Sequence, residues 1–84
     1  MTDKDRAVAV DLKRRLSDAV NLIDFRVFGS RARGDAAEFS DMDVFIEVEH
    51  LSKQLKAEIR DIAWEVGMEN SLYISPVIFT RSEI

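Results

Sequence analysis

Apolar residues recur along this chain with two periods, and the changes of period mark its elements. Val8, Leu12, Leu16, Ala19 and Ile23 fall at helical spacing. This predicts a first helix from near Asp3 to about Asn21 with one buried stripe. Asp11 and Arg15, four residues apart on its flank, can pair along the helix. Phe25 to Phe28 reads as a short strand ending at Gly29. Ser30 to Ser40 holds Gly34, Asp35 and several small residues, which predicts a short helical turn followed by loop.

From Asp41 to Val48 the period becomes two. Met42, Val44, Ile46 and Val48 face one way; Asp41, Asp43, Phe45 and Glu47 face the other. Helical spacing returns from Ser52 to Met68, with Leu55, Ile59, Ile62, Ala63 and Val66 as the buried stripe. Gly67 stands where a C-terminal cap is expected. Leu72 to Phe79 reads as a third strand. Pro76 within it has no N–H to give a ladder, which favours an edge position or a bulge. Thr80-Arg81-Ser82-Glu83 has the pattern of a capping box and predicts the start of a further helix. The order α-β-α-β-α-β predicts an α+β fold: a small mixed three-stranded sheet with helices packed on it.

Composition narrows the function classes. With 84 residues the expectation is one domain, residues 1–84, with any acceptor brought by a partner or a second copy. A hydrophobic share of 46% and a charged share of 33% match a folded soluble domain rather than a disordered one. No apolar run approaches the roughly 18 residues of a membrane span, and the charged start Met1-Thr2-Asp3-Lys4-Asp5-Arg6 is unlike a signal peptide. The expected location is the cytoplasm. The chain has no cysteine and a single histidine, His50, so thiolate and multi-histidine metal sites are excluded. A net charge of −4 argues against a broad nucleic-acid surface.

Two features carry chemistry. Gly29-Ser30 falls where a strand gives way to a helical turn. Glycine lets backbone approach a ligand closely, and a serine hydroxyl with nearby N–H groups can hold a phosphate. Asp41 and Asp43 are the second feature. Aspartate is disfavoured in strands, and residues i and i+2 share a face with Cα atoms roughly 6.5 Å apart. Two such carboxylates repel unless a cation lies between them, and Mg²⁺ is commonly held by one or two carboxylates plus substrate phosphates. Each feature alone is ordinary, as a cap in a tight turn or a solvated strand start.

Together they form one string: Gly29-Ser30-Arg31-Ala32-Arg33-Gly34-Asp35, a short loop, then Ser40-Asp41-Met42-Asp43. This closely resembles the signature of the DNA polymerase β-like nucleotidyltransferase superfamily, Gly-Ser-x-Ala-Arg-Gly followed by Ser-Asp-x-Asp. The resemblance runs from the first helix through the third strand. It is nearest to the minimal nucleotidyltransferases found as antitoxins beside helical HEPN toxins. It implies that Gly29 and Ser30 grip a triphosphate, that Arg33 fixes the loop or meets phosphate charge, and that Asp41 and Asp43 bind Mg²⁺ and serve catalysis. The implied reaction moves AMP from ATP to a hydroxyl on a protein partner such as a HEPN toxin.

The chain departs from the family pattern in one respect. Active members supply a third carboxylate from the next strand, and Ser75 stands about there. Glu47 shares the aspartate face but lies roughly 13 Å along the strand from Asp43, and Glu69 falls at a helix end. The alternative is therefore a catalytically impaired module that neutralises a partner by binding it. Among other residues, Trp64 is out of phase with the stripe of its helix and shares a side with Ala57, Arg60 and Met68; it is expected either at a protein interface or packed on the first helix. Lys13-Arg14-Arg15 is expected to be a solvated face, and His50 a loop residue without a catalytic role.

Overall fold

The structure is a computed structural model and describes residues 1–34 and 41–83. Helix α1 spans Asp3–Ala19; its cap is Thr2, whose Oγ accepts the Asp5 N–H at 3.0 Å. Two acidic residues, Asp3 and Asp5, occupy the first turn, where they complement the helix dipole. The helix stops two residues earlier than the stripe suggests, because Val20 turns to extended backbone. Ile23 is thus not a helix residue. It lies in strand β1, Leu22–Phe28, which begins three residues earlier than the sequence indicates. β-Branched residues favour the strand over another helical turn. The ladder register slips between Leu22 and Asp24, leaving Ile23 as an extra residue in a bulge, 38% exposed.

A four-residue helix, α2 (Ser30–Arg33), follows directly. Strand β2 is Met42–Val48, helix α3 is Lys53–Glu69 and strand β3 is Ile74–Thr80. The strand order is β1-β2-β3, with β1 antiparallel and β2 parallel to their respective neighbours β2 and β3. The expected mixed three-stranded α+β fold is therefore the observed one. Pro76 lies on an edge strand, where a missing N–H is tolerated.

Helices α1 and α3 cover one face of the sheet. Met42, Val44, Ile46 and Val48 of β2 are all fully buried beneath them, together with Leu12 and Leu16 of α1 and Ile59, Ala63 and Val66 of α3. The period-two reading of β2 thus marks the core directly, and both helical stripes do so apart from Ile23.

Gly67 is not the C-terminal cap. α3 continues to Glu69 and closes in a Schellman arrangement: the Leu72 N–H donates to the Gly67 carbonyl at 2.9 Å and the Ser71 N–H to the Met68 carbonyl at 3.4 Å. The left-handed position belongs to Ser71, φ 53°. Gly67 is required for another reason: a Cβ there would collide with the Leu72 carbonyl oxygen as the chain doubles back. At the other end, Thr80 N–H donates to Glu83 Oε1 at 3.1 Å, the back-reach of a capping box, and residues Arg81–Glu83 form a 3₁₀ turn.

Candidate functional site

The register of β1 on β2 sets Phe28 opposite Asp43, so the residue after Phe28 lands against the Asp43 side chain. That residue is Gly29, at φ 77° and ψ −156°, a conformation that only glycine adopts readily. A Cβ on Gly29 would lie 2.6 Å from Asp43 Oδ2. The Asp43 carboxylate fills the space that a side chain would have taken.

Ser30 is the first residue of α2 and is half-buried. The Arg33 N–H donates back to the Gly29 carbonyl at 3.2 Å, closing the turn. Arg33 is the last residue of α2 and is exposed. Asp41 is exposed and directly precedes β2, while Asp43 is half-buried within it. The start of β2 is tied to β3 by the Met42 N–H donating to the Tyr73 carbonyl at 3.0 Å. Ser40 and Asp35 of the sequence motif lie outside the described residues. Among the described residues no group of three or more histidine, cysteine or acidic side chains could hold a metal.

In the parallel ladder Ser75 is the partner of Asp43, and paired residues project from the same face. Neither nearby glutamate takes its place. Glu47 registers with Phe79, at the far end of β2. Glu69 is held on the helical layer by Arg15, whose Nη1 and Nη2 donate to its two oxygens at 2.9 and 2.7 Å. The Arg15 hydrogen bonds hold the Glu69 carboxyl below its ordinary range. Asp11 is lowered too, chiefly by its hydrogen bond from Arg14 and further by Arg15, and Arg15 is raised in turn, chiefly by its bonds to Glu69. The basic run on α1 is therefore largely committed to intramolecular pairs. His50 is exposed just after β2.

The sheet face opposite the helices carries Asp43 and Ser75 at one end. Beyond them lies a shallow groove of about 490 Å³ lined by Asp24, Arg26, Phe28, Phe45, Glu47, Val77 and Phe79. The rings of Phe45 and Phe79 stack at 5.6 Å. A second groove, about 470 Å³, runs beside β3 from Trp64 and Arg60 past Tyr73 to Ser75 and Pro76. Trp64 is 59% exposed there, turned toward the edge strand.

Sequence reasoning missed one buried ion pair beside the candidate site. Arg31, the variable position of Gly-Ser-x-Ala-Arg-Gly, donates from Nη1 to Asp5 Oδ1 at 2.8 Å, with side chains only 12% and 7% exposed. Asp5 is the single buried charged residue of the described chain. Asp5 falls at helical spacing with Val8 and Leu12, and this was the available signal: a carboxylate in phase with an apolar stripe needs a cation.

The chain matches the family described as "Nucleotidyltransferase domain" over residues 10–83. It is also similar to a protein of Methanocaldococcus jannaschii named "Putative protein adenylyltransferase", 39% identical over 57 residues, which make up 67% of this chain and 58% of that relative. No solved structure is a significant match. Among the described residues no helix is long and apolar enough to cross a membrane. With a family match over most of its length, on a three-stranded mixed sheet that brings its glycine and aspartate motifs together, the chain belongs to the nucleotidyltransferase domain family.

Proposed function

We propose that this domain binds ATP with Mg²⁺ and transfers AMP to a hydroxyl group of a protein partner, either a HEPN-type toxin, which it would act on as an antitoxin, or a second copy. The observation that carries this reading is the apposition of Gly29 to Asp43. The one residue able to leave that space open stands where a carboxylate fills it. The donor set also suits the ion. Asp41 and Asp43 offer hard oxygen ligands, and the chain has no cysteine and only one histidine to draw a softer metal.

Asp41 and Asp43 would hold the Mg²⁺ ion, which when bound neutralises triphosphate charge and eases loss of pyrophosphate. Ser30 would donate its hydroxyl to a phosphate oxygen, and Gly29 would allow the phosphate to approach the backbone. Arg33 would steady the loop or meet phosphate charge. With that ion bound, the carboxylates would help place the triphosphate for attack by the acceptor oxygen, and positioning supplies much of the rate in such transfers. The name of the Methanocaldococcus jannaschii relative, "Putative protein adenylyltransferase", supports the choice of ATP and of a protein acceptor. A cytoplasmic location fits that partner.

A second reading has its own observation. Ser75 is the ladder partner of Asp43 and offers a hydroxyl where active relatives carry a third carboxylate. On this reading the domain binds nucleotide and partner but transfers slowly or not at all. Calorimetry tests the shared part: ATP should bind only with Mg²⁺, and Asp41→Asn with Asp43→Asn should abolish the metal dependence. Unchanged binding in that double variant would reject both readings. Labelled ATP with the candidate partner then separates them, since label on the partner requires transfer.

A further inference from the structure

We infer that Asp5 and Arg31 form a positioning pair that holds Gly29 and Ser30 in place for phosphate binding, so that the first turn of α1 is part of the nucleotide site. This rests on the nucleotide reading above and adds two residues to it. α2 has four residues, too few to be stable alone, so its placement depends on what it touches. The Arg31–Asp5 bond at 2.8 Å spans 26 residues of sequence and is almost sealed from water, where screening is weak. Asp5 is itself fixed, because its N–H donates to Thr2 Oγ. The family match begins at residue 10, so Asp5 lies outside the part of the chain that it covers, while Arg31 lies within it.

A pair acting by position and an arginine acting directly on phosphate make different predictions. In the first case Asp5→Asn, Arg31→Gln and the double variant should each weaken Mg–ATP binding about equally, by roughly tenfold, as supporting partners of a site typically do. Losses in one unit are not additive. In the second case Arg31→Gln should weaken binding and Asp5→Asn should not. Leu55→Ala, on the far side of the core, serves as the stability control. It should lower the melting temperature yet leave the affinity of the folded protein unchanged. Amide exchange supplies a readout without nucleotide: Asp5→Asn should speed exchange across Ser30–Gly34 by about tenfold or more, while the middle of α3 stays protected.

Unchanged exchange and unchanged affinity in Asp5→Asn would overturn the positioning role, as would additive losses. Equal loss of affinity in Leu55→Ala would reduce it to general stability and overturn it as well. A wild-type protein that binds no Mg–ATP would overturn the nucleotide reading and this inference together. Normal wild-type binding with an indifferent Asp5→Asn would overturn this inference alone.

Discussion

At the scale of single residues the site turns on Gly29. Its positive φ and its contact with Asp43 both forbid a side chain. Gly29→Ala should cost about 1–3 kcal/mol from backbone strain alone, read from the urea midpoint. It should also weaken Mg–ATP binding further than that stability loss explains, because the Asp43 carboxylate must move. Ser75→Asp is the complementary test. If the serine stands in for a missing general base, the new carboxylate should raise transfer above the wild-type rate, where a positioned base is worth 10²–10⁴-fold. Vigorous transfer by the wild type would instead mean that the base comes from elsewhere. The sequence pointed to Gly29, Asp41 and Asp43 because their types are unusual for their positions, and the fold sets Gly29 against Asp43. Arg31 was not, since an arginine in a polar turn looks ordinary until the fold brings Asp5 to it across 26 residues.

At the scale of elements, α1 and α3 are tied by Arg15, which bridges Asp11 and Glu69. Both carboxyls titrate lower in the folded chain than in the unfolded one. Their contribution is therefore complete above the ordinary carboxylate range. It fades as pH falls below the ordinary glutamate value of 4.5 and through the folded values. Arg15→Gln should lower the neutral plateau slightly, since exposed pairs contribute little, leave stability unchanged below the folded values, and so flatten the acid limb, as measured by urea unfolding at successive pH values. The cap of α3 offers another test. Ser71 occupies the left-handed position that glycine usually fills, so Ser71→Gly should raise stability by about 0.5–1 kcal/mol. Apolar periodicity revealed both long helices and the central strand. It misplaced the start of β1, because Ile23 is in phase with the helix that precedes it. It also misread Gly67, whose need arises from the returning chain at Leu72 rather than from its own dihedral angles.

At the scale of the whole molecule, the core is one layer between a three-stranded sheet and two helices, and β2 supplies its centre. Ile46→Ala, at a fully buried position, should cost about 2–5 kcal/mol. Domains of this size hold roughly 4–12 kcal/mol in total. The variant should therefore show a large drop in melting temperature, while Val10→Ala at 68% exposure should not. The layer order could be read from the chain, because helices and strands alternate with the right faces apolar. The mixed sheet could be read from the same order of elements; which residues face each other across it, Phe28 with Asp43 among them, needed the fold itself.

The same sheet has two open sides, and each is closed to further strands by a different device. On β3, Pro76 has no N–H to offer an incoming chain. On β1, the Phe25 N–H is already taken by the Asp24 carboxylate at 2.8 Å, Ile23 bulges out of register, and Arg26 stands exposed with its charge. Sheets that leave a long apolar side unguarded recruit copies of themselves and grow into fibres. With three phenylalanines on the face opposite the helices, a proline, a bulge and one aspartate–arginine pair are features of the kind that oppose such growth.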